Sequence, residues 1–291
     1  MTIGLALSGG GAKGLAHIGV IKALNDFGIH IDYISGTSSG SIIAALFSAG
    51  YTPNEIIDLV NKNRFNIVDI ENKSGLKILN SLMSKKVSIN GFVKGNNLEY
   101  ILKQKLLDKN IKDICDIKLP IAIPAVNLFT GDTVYFTNMY IKENEIEKDI
   151  GNDIYVNEGN LASIIRASIS VPGIFKPKKI NNCYYIDGGV KVNTPVNILK
   201  KMGADKIIAV TFIDNNKFGI NNVYGIPDTT LNKIYNSNSD DVGKSDVNIC
   251  LNINNVSLFD TSKSVYLANR GYNIVINNIN KIKEILEING I

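Results

Sequence analysis

Histidine is scarce in this 291-residue chain: His17 and His30 are its only two, and none follows residue 30. A hydrolase whose catalytic residues run serine, acid, histidine along the chain would have no histidine where it needs one. Cysteine is scarce as well. Cys115, Cys183 and Cys250 are odd in number, far apart and never spaced CxxC. That pattern argues against a disulfide framework or a zinc site and fits free thiols in a reducing compartment. No apolar run is long enough to cross a bilayer; the longest, such as SIIAALFSAG, reaches about half a span. The N-terminus has no basic stretch leading into an apolar signal core. The expected location is therefore the cytoplasm, with any membrane contact peripheral. Charge is low too, at 20% of residues with a net charge of +4, and no Lys/Arg block is interleaved with aromatics. Nucleic acid is not an expected partner.

What is there describes a globular chain. Hydrophobic residues make up 45%, enough to bury a sizeable core. No repeat is evident, and no linker separates two halves. We expect one domain over residues 1–291. Its motifs lie within 3–214, residues 215–245 (rich in Asn, Ser, Asp and Gly) form a surface loop, and 246–291 add a closing strand and helix.

The first fifty residues set the class. IGLALS is a buried strand ended by glycines, and Ala12 to Phe27 comes next with helical spacing and Gly28 as its stop. IDYISG is a second strand, and SSGSIIAALFSAG a second helix closed by Gly50. This βαβα order predicts an α/β fold with a mainly parallel sheet covered by helices. Further on, Pro53 starts a helix, residues 64–95 suggest a flap or lid, and NLEYILKQKLLD is amphipathic. Hairpins are expected around Thr130-Gly131-Asp132 and Asn181-Asn182. LASIIRASIS is helical, DKIIAVTFI and VNICLNI are strands, and a last helix spans roughly Ser262 to Leu286.

The glycine loop SGGGAKG can be read in two ways. Gly9, Gly11 and Gly14 fit G-x-G-x-x-G between a strand and a helix, as in dinucleotide-binding folds. That fingerprint also needs an acid after the second strand, and Asp32 precedes it. The strand runs instead into Gly36-Thr37-Ser38-Ser39-Gly40, a G-x-S-x-G in strand–turn–helix context. Such an elbow holds a serine nucleophile on a turn tight enough to demand small neighbours, here Gly36 and Gly40. His17 lies in an apolar helix and reads as a packed residue; His30 carries no motif. A carboxylate is then the natural base for Ser38. Asp187 is the best candidate, since it ends a strand and Gly188-Gly189 let the chain turn sharply after it.

These three motifs in order, with RASISVPGIFKP between the second and third and SLFDTSKSVYLANRGY near the end, resemble the patatin-like phospholipase family. Ser170 stands where that family commonly has Ala. The resemblance implies a three-layer α/β/α sandwich and a Ser38–Asp187 dyad. It implies an oxyanion hole from Gly9, Gly10 and Gly11, with Lys13 and Gly14 supporting. It also implies hydrolysis of lipid acyl esters, phospholipid or lysophospholipid, with no metal or cofactor. Lys13 could steady the loop, attract phosphate or stay solvated. The alternatives are a regulatory protein of the same fold that acts through partners, and a nucleotide binder using the glycine loop.

Overall fold

The computed structural model describes residues 1–63, 93–141, 153–213, 241–254 and 256–288. Its centre is a sheet of nine strands: β1 (Ile3–Leu7), β2 (Tyr33–Gly36), β3 (Ile121–Asn127), β4 (Thr133–Thr137), β5 (Asp153–Val156), β6 (Lys178–Ile180), β7 (Cys183–Asp187), β8 (Lys206–Ile213) and β9 (Val247–Asn252). The main order is β5-β4-β3-β2-β1-β8-β9, with β7 beside β3 and β6 beside β7. Strands β3, β2, β1, β8 and β9 run parallel to one another in sequence across the sheet; β4 and β7 run antiparallel to β3. The sheet is mixed and mostly parallel.

Helices cover both faces unevenly. A 3-10 turn, Gly11–Leu15, leads into α1 (Ala16–Asp26). Then come α2 (Ser39–Ser48), α3 (Pro53–Asn63), α4 (Asn96–Asp108), α5 (Leu161–Ser168), α6 (Val196–Met202), α7 (Ser264–Ile276) and α8 (Ile279–Ile285). Strand alternation sorts the core. Leu5, Leu7, Ile123, Ile208 and Val210 join the large cluster with α1 to α5 and α7. Ala6, Ala122, Tyr135, Ile207 and Ala209 point to the other face, against α6. Burial on both faces is why β1 and most of β3 read as apolar runs rather than alternating ones.

Both hairpins turn where expected, at Gly131 and at Asn181, each with positive φ. The closing helix does not run through. It breaks at Asn277–Asn278, where the Asn278 side-chain amide donates to the Ile274 carbonyl at 2.8 Å and competes with the ladder. Most of the expected flap (64–95) and of the expected loop (215–245) lies outside the described residues; Asp241–Lys244 is a 3-10 turn. Among the described residues, no helix is long and apolar enough to cross a membrane.

One edge of β3 creates the site. Along it, β2 pairs at Ile121 and Ala122, and β7 pairs at Ala125 to Asn127 from the opposite direction. The two strands therefore point their carboxyl ends at each other. Ser35 opposite Ala122 and Asp187 opposite Ala125 are three positions apart on β3, about 10 Å. The turn leaving β2 rises into that gap.

Candidate active site

That turn carries Ser38. Its backbone sits at φ 51°, ψ −122°, a strained conformation worth of order 1–3 kcal/mol. Neighbours hold it there. The Thr37 N–H donates to the Leu7 carbonyl at 3.1 Å and the Thr37 hydroxyl to the Val192 carbonyl at 2.9 Å. The Ser38 N–H donates to the Ser168 hydroxyl at 3.1 Å. The Ser38 carbonyl accepts from the Ser41 hydroxyl at 2.6 Å and from the Ser41 N–H at 2.9 Å. A Cβ on Gly36 would strike the Gly40 carbonyl, and one on Gly40 the Leu7 carbonyl. Only glycine permits an elbow pressed this close to β1.

Asp187 ends β7 and is fully buried. Its Oδ1 accepts the Gly189 N–H at 2.7 Å, while Oδ2 has no partner of hydrogen-bond geometry among the described residues. Burial pushes its carboxyl up to about 7; the nearby Ser38 hydroxyl and the Gly189 N–H pull against that rise. Ser38 is thus close enough to act on the carboxylate. Gly188 packs flat on the Pro124 carbonyl, with no room for a side chain.

The glycine loop lies against the elbow. Gly9 sits beside Ser38, where an added Cβ would come within 3.1 Å of the Ser38 Cβ. Its N–H is engaged by the Asn193 carbonyl at 3.1 Å. Among the described residues no acceptor takes the N–H of Gly10 or Gly11, so these two remain available as donors. Lys13 lies in the 3-10 turn, its N–H on the Gly10 carbonyl, and Gly14 packs on the Ser39 side chain.

The histidines stand apart from this chemistry. His17 is fully buried and one ring nitrogen meets the Ser8 carbonyl at 2.8 Å. Burial lowers it to about 4, so it is neutral near pH 7. His30 is exposed beside Asp32. Asp32 precedes β2, at the opposite end of the sheet from the glycine loop, and its carboxylate accepts the Ile3 N–H at 2.8 Å. It cannot serve a ribose on that loop.

The patatin-like phospholipase family model matches residues 5–200, which include the glycine loop, the elbow and Asp187. The chain belongs to the patatin-like phospholipase family. Among its relatives is lysophospholipase NTE1 of Candida albicans, 30% identical over 225 residues, which are 72% of this chain and 13% of that protein. Human patatin-like phospholipase domain-containing protein 6 is 28% identical over 211 residues, 72% of this chain and 13% of its own length. The uncharacterized protein YqhO of Bacillus subtilis is 29% identical over 225 residues, 72% and 71% of the two chains. The patatin-like chain thus spans about one eighth of the first two relatives.

In this family member a cavity of about 140 Å³ opens beside Ser38 and Gly11. Its walls are aliphatic and aromatic, from Ile42 and Leu46 of α2, Leu59 of α3, Leu102 of α4, Phe175 and Leu258. Phe175 and Leu258 fall within RASISVPGIFKP and SLFDTSKSVYLANRGY, but the helical lining residues do not stand out, because helical apolar positions look alike whether they face a core or a cavity. Ser168, Asn193 and Val192 also escape sequence reasoning as contacts of the site. Ser168 falls inside RASISVPGIFKP, but its bond to Ser38 spans 130 positions and leaves no local signal.

Proposed function

We propose that this patatin-like protein is a serine acyl hydrolase acting on fatty-acyl esters of phospholipids or lysophospholipids. The observation that carries the reading is a fully buried Asp187, its Oδ2 without a partner among the described residues, beside a Ser38 that lines an apolar cavity. A carboxyl raised to about 7 is a far better proton acceptor than an ordinary aspartate. It takes the hydroxyl proton directly, so no histidine is needed.

In the first step the Ser38 Oγ attacks the ester carbonyl and its proton passes to Asp187 Oδ2. The carbonyl oxygen becomes an oxyanion, and in this reading it accepts from the N–H groups of Gly10 and Gly11, which no acceptor takes among the described residues. One such donor contributes about 2.7–4 kcal/mol to lowering the barrier. Collapse expels the alcohol, which takes the proton from Asp187, and leaves an acyl-Ser38 ester. Water, deprotonated by the same carboxylate, then attacks that ester and frees the fatty acid. The cavity suits the acyl chain, since apolar walls favour burying methylenes by about 0.8 kcal/mol each. The lysophospholipase name of a 30%-identical relative supports a lipid substrate. Three free cysteines and the lack of a spanning helix among the described residues support a cytoplasmic enzyme that meets membranes from outside.

The test is hydrolysis of p-nitrophenyl acyl esters by wild type and Ser38→Ala, with a fluorophosphonate probe alongside. Activity is expected to vanish in the variant, and peptide mass spectrometry is expected to find the probe on Ser38. Near-wild-type turnover by Ser38→Ala would overturn the reading.

A further inference from the structure

Ser38 and Asp187 do not set their own separation. Among the described residues, Asp187 Oδ2 has no partner of hydrogen-bond geometry, Ser38 included. Both backbones are instead tied to one short stretch of chain, the last turn of α5 and the two residues after it. The Ser38 N–H donates to the Ser168 hydroxyl at 3.1 Å. Two residues on, the Ser170 carbonyl accepts the Asp187 N–H at 3.0 Å.

The stretch is itself anchored at three points. The Ser168 hydroxyl gives its one proton to the Pro124 carbonyl of β3 at 2.7 Å, which leaves its lone pairs for Ser38. Gly188, next to Asp187, packs on that same Pro124 carbonyl. The Ser170 hydroxyl accepts from the buried Arg166 guanidinium at 2.7 Å. Arg166 also donates to the Lys94 carbonyl at 3.2 Å and to the Lys176 carbonyl at 2.9 Å. Ser168 and Ser170 are fully buried, so water cannot replace a lost bond without entering the core.

We infer that Ser168 is a positioning residue for the nucleophile: its hydroxyl ties the strained Ser38 turn to β3 and thereby fixes the nucleophile at its working distance from Asp187. The inference rests on the Ser38–Asp187 reading. An alanine at 168 would leave the Ser38 N–H buried and unpaired at a left-handed backbone position. The turn would then relax, and the hydroxyl would swing off the carboxylate. Substrate binding, which uses the cavity walls, would be untouched.

The experiment compares wild type, Ser168→Ala and Ser168→Thr, each first checked for cooperative thermal unfolding. In Ser168→Ala, kcat for a p-nitrophenyl ester is expected to fall roughly ten- to a hundred-fold, the scale of one lost buried hydrogen bond. KM should stay near wild type, and phosphonylation of Ser38 should slow in proportion to kcat. Amide hydrogen exchange of the peptide carrying Ser38 should speed up. Ser168→Thr keeps the hydroxyl and is expected to recover most of the rate. The inference is overturned if Ser168→Ala labels Ser38 at the wild-type rate, or if alanine and threonine lose equal activity, since the hydroxyl would then be irrelevant. If the alanine variant does not fold, Ser168→Cys, close in volume and a weaker acceptor, takes its place, and the same readouts decide in the same way. Survival of activity in Ser38→Ala would fell the nucleophile assignment and with it the positioning role; exchange at the Ser38 amide would then judge only whether Ser168 holds the turn.

Discussion

His17 and Asp187 are two fully buried titratable side chains that flank the same elbow, and they have opposite fates. Each satisfies one polar atom on the backbone and leaves the other without a partner among the described residues: Nδ1 of His17 and Oδ2 of Asp187. Burial moves both toward neutrality, His17 down to about 4 and Asp187 up to about 7. What differs is what the unpaired atom faces. The His17 ring packs near Phe212, 5.1 Å between centroids, and its bonded nitrogen holds the Ser8 carbonyl where the glycine loop begins. Asp187 has the Ser38 hydroxyl in reach. A perturbed pKa therefore marks a reacting group only where a transferable proton lies next to it. His17 holds the Ser8 carbonyl at the start of the loop, and in the proposed reading Asp187 works on the serine.

The largest expected effect breaks this comparison at the acid. Asp187→Asn keeps the shape and removes the base, and we expect ester hydrolysis to fall roughly 10²–10⁴-fold. His17→Leu removes only the donor to the Ser8 carbonyl. It should lower stability by about 1–3 kcal/mol and kcat by less than about tenfold, through a looser glycine loop. Measured side by side on one ester, an equal loss in both variants would show that the two residues share a catalytic role. The pH dependence sharpens the contrast further. Asp187 must be ionised to accept the proton, so kcat/KM should rise with pH and reach half its plateau near 7. In His17→Leu that limb should stay in place. A limb displaced in the histidine variant would put His17 in contact with the reacting proton.

The fold was legible where local chemistry dictates it, and the site only in part. Gly131 and Asn181 announce their hairpins because the turns need positive φ, and G-x-S-x-G announces the elbow because the turn admits only small neighbours. The break at Asn278 was invisible because its cause is one side-chain amide reaching a carbonyl in the turn before. Ser38 and Asp187 could be named, but not why they meet. That depends on β2 and β7 sharing one edge of β3, and on Ser168 and Ser170 tying the two backbones together. Gly9 looked equal to Gly10 and Gly11, yet its N–H is spent on Asn193, a contact that exists only after the chain returns from Asp187.

The finest test separates the two buried groups by stability alone. Folding stability rises with pH wherever the unfolded chain holds more protons than the folded one. Between about 4 and about 6.5, Asp187 is ionised when unfolded (3.8) and protonated when folded (about 7), so its contribution falls as pH rises. His17 is protonated when unfolded (6.5) and neutral when folded (about 4), so its contribution rises over the same window. Each slope approaches about 1.36 kcal/mol per pH unit, and in the wild type they cancel. Replacing one residue exposes the other. Relative to wild type, Asp187→Asn should gain stability as pH climbs from about 4 to about 7, up to about 4 kcal/mol at full effect. Relative to wild type, His17→Gln should lose stability over the same climb, by a smaller amount because the histidine shift is smaller. Exposed carboxylates held low by their partners, such as Asp26, Asp116 and Asp205, act alike in all three proteins and drop out of the differences. Urea unfolding across that pH range should give two difference curves of opposite slope. A flat curve for either variant would mean that its residue titrates in the folded protein as it does in the unfolded chain, and that burial does not govern it.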